Sequence, residues 1–319
     1  MWQLIDNGGT DDPAINLALE EFLVRNESMT GRYMLIYRNS PSIILGKHQN
    51  IAEEVNLKYC AQEGIPVYRR ISGGGTVYHD PGNINIAFIT TRSLQRVNNY
   101  GYFIQPLIRL IRRLGADAQT DRRSNILING MKISGNAQFT SRTRMLSHGT
   151  VLYAANLQNL KRALRINDRW QVESKSSKSV RSKAGNLTDF LPEKRPIERF
   201  IQDVAEAYQT DPKSLSEAEW DQIYELTEKK YRTAQWIIDR SPASKIVCPL
   251  AGTAAQARII LFLRDGHIEG IEFEGRPLPD KSISAARKSL LGLRFDYTTL
   301  KQHKTKWLAE CGWPDVLFA

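Results

Sequence analysis

Cysteine is scarce in this chain. Cys60, Cys248 and Cys311 are the three among 319 residues, widely separated and without paired ligand spacing, which excludes a disulfide framework and a thiolate zinc site and points to a reducing cytoplasm. Long apolar runs are missing too: no segment approaches the ~20 apolar residues of a membrane span. The start, MWQLIDNGGTDDP, lacks the basic and apolar regions of a secretory signal, so neither a membrane nor export is expected. Acidic residues are in deficit, 34 Asp and Glu against 44 Lys and Arg, for a formal charge of +10. That balance favours an anionic partner. No helix-turn-helix or zinc-finger spacing accompanies it, and the basic residues are scattered except around 175–183. A nucleotide or an acidic protein fits the charge as well as nucleic acid does. There is no internal repeat, no P-loop and no dinucleotide fingerprint.

What is present is an ordinary globular composition, 41% apolar and 24% charged, with a length that suits one large domain plus a small one. The most informative stretch is 65–88, IPVYRRISGGGTVYHDPGNINIAF. It reads as strand, glycine loop, strand, turn, strand. Residues 65–70 are β-branched and aromatic behind Gly64, Ser72 to Gly75 release the backbone, and Val77 to His79 resume extended character. Three successive glycines let main-chain N–H groups approach a ligand closely. Arg69 and Arg70 enter the loop and His79 and Asp80 leave it, a convergence that suits a phosphorylated or carboxylated ligand. After the turn at Pro81, Gly82 and Asn83, the residues Ile84, Ile86 and Phe88 alternate with Asn85 and Ala87 as in a half-buried strand.

Around it the chain alternates strands and helices. Asp12 and Pro13 suit the cap and first residue of a helix to about residue 25, with Glu20 and Glu21 expected on its solvated face. Residues 33–38 and 42–45 read as strands, 53–62 as a helix closed by Gly64, and 100–114 as a helix with Arg109, Arg112 and Arg113 facing solvent. Asn129-Gly130 between apolar runs predicts a hairpin with Lys132 just past its turn. Residues 168–185, rich in serine, lysine and arginine, are expected to be mobile. Helices are expected at 197–208 and 215–230, the second with Ser216 and Glu219 at capping-box spacing. After the linker 240–245 the pattern becomes a hairpin, 256–264 and 267–274 turning at Asp265-Gly266, followed by helices near 283–291 and 297–310. Domains 1–240 and 246–319 are therefore expected.

Residues 69–85, RRISGGGTVYHDPGNIN, resemble the signature of the lipoate-protein ligase A family, RRxSGGGxVxHDxGNxN, at every fixed position. KISG at 132–135 resembles the family's catalytic-lysine block. His148-Gly149-Thr150 resembles its HGT block, and Val180-Arg181-Ser182 with Asn186-Leu187-Thr188 its VRS…NLT string. The resemblance implies an α/β fold of the α+β type: a mixed, largely antiparallel sheet with packed helices and a small C-terminal accessory domain, in keeping with hairpin signals outnumbering βαβ signals.

It also implies a function. Lipoate, or octanoate, would be activated with ATP and Mg²⁺ to an acyl-adenylate. The acyl group would then pass to a lysine of acidic lipoyl carrier domains, the E2 subunits of 2-oxoacid dehydrogenases and the H protein of glycine cleavage, with the enzyme a cytoplasmic monomer. Lys132 would be catalytic. Arg70, Gly75, Thr76, Val77 and Tyr78 would join it at ATP and the adenylate. Tyr37, Arg70, Ser72, Gly73, Gly74, His79 and His148 would join it at lipoate. Asp80, Gly82, Asn83, Ser134 and Gly135 would order the loops, and residues 168–185 would act as a lid. One departure stands out: where the family carries Asn-Asp before the lysine hairpin, this chain has Ser124-Asn125, and a neutral amide at Asn125 is a poorer ligand for a hard dication. Three alternatives arise, and one of them, a biotin ligase, would be expected to carry GRGRxGR, which is absent. A lipoyl or octanoyl transferase of the same fold would use a preformed adenylate or an acyl carrier, although no cysteine lies between Lys132 and His148. A non-enzymatic nucleic-acid binder would explain the charge but not the signature.

Overall fold

The computed structural model describes residues 1–164, 171–249, 257–275, 280–303 and 309. The chain opens with β1 (Trp2–Ile5), α1 (Pro13–Arg25), β2 (Tyr33–Tyr37), β3 (Ser42–Leu45), α2 (Ile51–Glu54) and α3 (Leu57–Gln62). The glycine-loop region follows as β4 (Val67–Arg69), β5 (Val77–His79) and β6 (Asn83–Thr91). Next come α4 (Tyr100–Arg113), β7 (Gln119–Thr120), β8 (Ile126–Ile128), β9 (Met131–Thr140), β10 (Arg144–Leu152), α5 (Leu157–Ala163) and β11 (Gln171–Ser174). Then α6 (Ile197–Ala207), β12 (Thr210–Lys213), α7 (Glu217–Leu226) and α8 (Ala234–Ile237) lead into β13 (Ser244–Pro249), β14 (Arg258–Arg264), β15 (His267–Glu274), α9 (Asp280–Leu290) and α10 (Tyr297–Gln302).

Eight strands form the main sheet in the order β12-β1-β2-β6-β10-β9-β8-β7. Its pairings are antiparallel except β1 with β12 and β1 with β2, so the sheet is mixed and largely antiparallel, as the hairpin signals imply. Its central strand β6 is buried along almost its whole length. Ile84, Ile86 and Phe88 face a layer with α4 and α6, while Ala87 and Ile89 face α1 and α7. The alternation in the sequence is therefore real, but helices cover both faces where one was expected to be wet.

Local chemistry sets the element ends. Asp12 accepts from the Ala14 amide at 2.8 Å and Pro13 begins α1. The expected helix at 53–62 is broken: Asn56 accepts from the Tyr59 amide and caps a new helix, a side-chain bond that competes with helix continuation. The Ser216–Glu219 capping box is present, and beyond α7 residues Thr227–Tyr231 continue as a π-helical turn. The Asn129-Gly130 and Asp265-Gly266 turns have all four residues at positive φ, the condition for two-residue hairpin turns.

A three-stranded sheet, β4-β3-β5, carries the glycine loop, and a four-stranded sheet, β11-β13-β14-β15, lies toward the C-terminus. β11 comes from the 168–185 stretch. One apolar cluster joins Ile43, Leu45, Ile51 and Tyr59 to Ile246, Ile259, Leu261 and Phe295, so the core runs across the 240–245 linker, whose last two residues, Ser244 and Lys245, already belong to β13. Gln256, residues 168–170 and residues 304–308 lie outside the described residues.

Candidate active site

The glycine loop is folded around Arg70. Its Nε donates to Ser72 Oγ at 2.9 Å, Nη1 to Ile44 O at 3.1 Å, and Nη2 to Gly73 O and Gly75 O, each at 2.7 Å. Turning those carbonyls inward leaves the loop amides for other partners. Burial pushes the Arg70 guanidinium down to about 10, the Glu20 charge opposing, so it stays cationic at neutral pH. Gly74 has φ +86°, and a Cβ at Gly46 would lie 2.2 Å from Gly74 O. Both positions need glycine.

Arg69 does not join the loop. It donates to Ile237 O at 2.9 Å, Gly46 O at 3.0 Å, Gln49 O at 2.7 Å and Ser241 Oγ at 3.1 Å. Adjacent strand residues point to opposite faces, which corrects the expectation that both arginines serve a ligand: Arg69 ties the loop's base to the segment after α8.

A second polar chain runs from the loop into α1. Ser72 Oγ lies 2.7 Å from His148 Nε2, and His148 Nδ1 lies 2.8 Å from Glu20 Oε2. Tyr37 Oη donates to Glu20 Oε1 at 3.0 Å. Burial, and then the Glu20 charge, push the Tyr37 phenol well above its ordinary range, keeping it a donor. The expected solvated face at Glu20 and Glu21 is thus overturned. Both are buried, Glu21 accepting from Lys230 Nζ and Tyr231 Oη. The signal was in the sequence: PAINLALEEFLV is apolar almost all round, the mark of an enclosed helix.

Lys132 stands on β9 opposite these groups. A Cβ at Gly135 would fall 2.8 Å from its Nζ, so Gly135 makes room for the ammonium. Burial lowers the Lys132 pKa, Asp121 opposing and Arg123 and Arg70 adding to the fall. Asn125 Nδ2 donates to Asp121 Oδ2 at 2.7 Å, and Asp121 Oδ1 accepts from the amides of Arg123 and Asn125. Burial pushes the Asp121 carboxyl up, but the Asn125 and Arg123 hydrogen bonds and the Lys132 charge leave it below its usual range. Sequence reasoning missed Asp121, which lies four residues before the position where the family has its acid.

Residues 174–185 form a strap across the loop. Ser174 and Ser176 hydroxyls donate to the buried Glu53 carboxylate, with Lys178 Nζ 3.1 Å from its other oxygen. The Ser179 amide donates to Glu54 Oε1 at 2.8 Å, its hydroxyl donates to Glu54 Oε2, and its Oγ accepts from the Thr76 amide at 2.9 Å. Lys132 exchanges backbone bonds with Lys183 and Gly185. This described part of the 168–185 stretch is held by hydrogen bonds, contrary to the mobile loop read from its composition. The carboxylates that hold it lie more than 120 positions away.

Two cavities meet beneath the strap. One, about 340 Å³, is lined by Leu17, Glu20, Tyr37, Arg70, His79 and His148, and by Lys132, Asn125 and Gly135. The other, about 950 Å³, is lined by Tyr78, Ile133, Leu152, Leu160, Glu53 and Lys132. Both suit small-molecule sites of ~300–1,000 Å³. Thr76, Val77, Lys132, Gly135, Thr150 and Ser179 line both.

Gly74 and Gly75 line the first cavity, and Tyr78 and Ser134 the second. Ser72 is buried behind the wall. Asp80, Gly82 and Asn83 sit at the turn: Asp80 accepts from the Gly82 and Asn156 amides at 2.9 and 2.7 Å. Asn83 is wholly buried, its amide donating to Asp80 O. Cys60 and Cys248 line neither cavity, and burial pushes both thiols up to about 12. Among the described residues no three His, Cys, Asp or Glu side chains cluster as metal ligands, and no helix is long and apolar enough to cross a membrane.

Residues 12–209 match the family described as "Lipoyl protein ligase A/B catalytic domain". The chain is 34% identical to the lipoate-protein ligase LplJ of Bacillus subtilis over 303 residues, 93% of this chain and 91% of the relative. It superimposes on a bipartite lipoate protein ligase of Thermoplasma acidophilum, described together with its E2 lipoyl domain, with TM-score 0.62 and 25% identity, over 74% of this chain and 95% of that one. A lipoate-protein ligase A bound with ATP gives TM-score 0.61 and 25% identity over 74% and 97%.

Proposed function

Because this chain belongs to the lipoyl protein ligase A/B family, we propose that it is an ATP-dependent lipoate–protein ligase whose two half-reactions share one site around Lys132. In the first, the carboxylate of lipoate attacks the α-phosphorus of ATP and the bond to pyrophosphate breaks, giving lipoyl-AMP. In the second, the ε-amine of a lysine on a lipoyl carrier domain attacks the mixed-anhydride carbonyl. The bond to AMP breaks and the amine gives up its proton. The observation that carries this reading is that Lys132 lines both cavities, so one ammonium borders the acyl and the nucleotide compartments.

The smaller cavity takes the acyl tail between Leu17, Tyr37, Ile44 and His79. The larger takes the nucleotide, with the backbone of Thr76, Val77 and Tyr78 presented to the base. Lys132 neutralises charge that develops on the α-phosphate and the acyl oxygens, a preorganised effect that is large in an enclosed site. Arg70 acts mainly through the loop it folds, with Gly73, Gly74 and Gly75 amides meeting the anion. Ser72 and His148 join Arg70 to Glu20. Asp80, Gly82, Asn83, Ser134 and Gly135 hold loop and hairpin in place.

Of the oxygen ligands magnesium takes, Asn125 lines the smaller cavity with Asp121 bonded to it, and Glu53 and Glu54, which line the larger one, are engaged by the strap. They fit a cation held mainly by the nucleotide's own phosphates, which when bound neutralises the leaving pyrophosphate. Among the described residues the cysteines, Cys60 and Cys248, are buried and kept protonated, which supports a ligase over a cysteine-dependent transferase; Cys311 lies outside the described residues. The exposed Lys175, Lys178 and Lys183 on the strap and the net charge of +10 support an acidic carrier as protein substrate, and the same reading makes the protein a cytoplasmic monomer without nucleic-acid or membrane partners. ATP–pyrophosphate exchange is the test. Label should enter ATP only when lipoate is present, and exchange that ignores lipoate would contradict the assignment.

A further inference from the structure

Among the described residues four cationic side chains line the smaller cavity: Arg70, Arg123, Lys132 and Lys178. Arg70 is buried and gives its N–H groups to the Ile44, Gly73 and Gly75 carbonyls and to Ser72 Oγ. Lys178 Nζ lies 3.1 Å from Glu53 Oε1. Lys132 stands where the two cavities meet. The histidines add no charge for a ligand: His148 Nδ1 is held 2.8 Å from Glu20 Oε2, while burial, then the Arg70 and His148 charges, push the His79 pKa down to about 3. Arg123 differs from all of these. Its side chain is exposed and has neither a hydrogen bond nor an ion pair among the described residues.

Its backbone, by contrast, is firmly held. The Arg123 amide donates to Asp121 Oδ1 at 2.8 Å and the Ser124 amide to Asp121 O at 3.0 Å. Asn136 Nδ2 donates to Ser124 O at 2.7 Å, closing a tight turn in which Ser124 takes φ +58°. Leu17, Tyr37 and Ile44 line the same cavity and are buried, so they form its depth while the exposed Arg123 stands at its mouth. Burial lowers the Lys132 pKa, Asp121 opposes, and Arg123 adds to the fall, as a second cation close by must. A fixed turn thus presents a free guanidinium beside a half-buried ammonium, an arrangement that costs free energy until an anion lies between them.

The chemistry of the first half-reaction supplies that anion. As a carboxylate oxygen bonds to the α-phosphorus, the bond from that phosphorus to the bridging oxygen breaks and its electron pair stays on the oxygen, so the departing pyrophosphate gains negative charge. With adenosine in the larger cavity and the α-phosphate at Lys132 on the shared wall, the β- and γ-phosphates extend along the smaller cavity toward its mouth. Asn125 beside them is neutral and brings no charge of its own. A planar guanidinium meets two phosphate oxygens at once. Resting on the ligase reading above, we propose that Arg123 binds the β- and γ-phosphates of ATP and stabilises the departing pyrophosphate, and so separates the triphosphate substrate from the AMP product at the same site.

The test is calorimetric binding to the full chain, with lipoate present, of AMP and of α,β-methylene-ATP, whose bond to pyrophosphate cannot break. Arg123→Ala should bind the ATP analogue about tenfold more weakly than wild type does, and AMP within about twofold of wild type. Arg123→Lys, which keeps the charge but not the fork, should recover part of the loss. In the wild-type protein phenylglyoxal should modify Arg123, and the ATP analogue should protect it where AMP does not, a readout that needs no variant to fold. Equal weakening of both ligands in Arg123→Ala would reveal a structural role and overturn the inference. Unchanged binding of both, or modification that ignores the ATP analogue, would overturn it too, and each of these results leaves the ligase reading intact. Wild type that binds neither nucleotide with lipoate present would remove both.

Discussion

Arg69 and Arg70 show how a residue's use follows from which way the strand turns it. The motif predicted two cations entering one loop. The alternation of β4 instead gives Arg70 to the loop carbonyls and Arg69 to the segment around Ile237 and Ser241. Lys132, Gly135 and His148 were legible only through their motif strings, because a single lysine or histidine on a strand carries no chemical signal of its own. Glu20 was legible in principle from the apolar surroundings in α1. Asp121 was not, since its role depends on a tight turn that brings it back to Asn125. His79 supplies a pH prediction. Its ordinary pKa is 6.5 and its folded value about 3, so the unfolded chain takes up a proton first. Its contribution is intact above pH 6.5 and is lost as pH falls toward 3. At pH 5 this one residue should make the fold about 2 kcal/mol less stable than at pH 7. In urea titrations His79→Gln should lack that increment, and an identical pH slope in variant and wild type would count against the neutral, buried ring.

At the scale of elements, turn and capping-box signals were read locally, while the Asn56 cap that splits 53–62 into two helices was not. The two hairpins follow from Asn-Gly and Asp-Gly, and the capping box from Ser216 and Glu219. The strap did not follow from composition, because Ser174, Ser176 and Ser179 are polar in sequence yet paired in space with Glu53 and Glu54 of α2. Hydrogen bonds to a buried carboxylate are worth about 1.5–3 kcal/mol each, enough to order a segment with little apolar surface. Glu54→Ala should therefore loosen the strap without unfolding the domain. Trypsin should cut after Lys178 or Arg181 at least about fivefold faster, the response to ~1 kcal/mol of lost local protection. An unchanged cleavage rate would mean that Glu53 or the Lys132 backbone bonds hold the strap by themselves.

At the scale of the molecule, the sheet type and the packed helices were within reach of the sequence, while the joining of its parts was not. β11 lies before the 240–245 linker and pairs with β13, which begins inside that linker at Ser244. Ile43, Leu45 and Ile51 share a core with Ile259, Leu261 and Phe295. No periodicity in either segment announces that. We propose that 1–240 and 246–319 are units of sequence that fold as one cooperative block, because separating them would expose this cluster to water. Scanning calorimetry should give a single transition, and two resolved transitions would contradict the proposal. One ammonium bordering two compartments is the centre of the proposed chemistry. Its most direct measurement is Lys132→Ala in both half-reactions separately: lipoate-dependent ATP–pyrophosphate exchange, and transfer of lipoate from preformed lipoyl-AMP to a lipoyl carrier domain. Both rates should fall about a hundred- to a thousandfold, as for loss of one preorganised charge donor. Transfer from the preformed adenylate at the wild-type rate would contradict a single site built around Lys132.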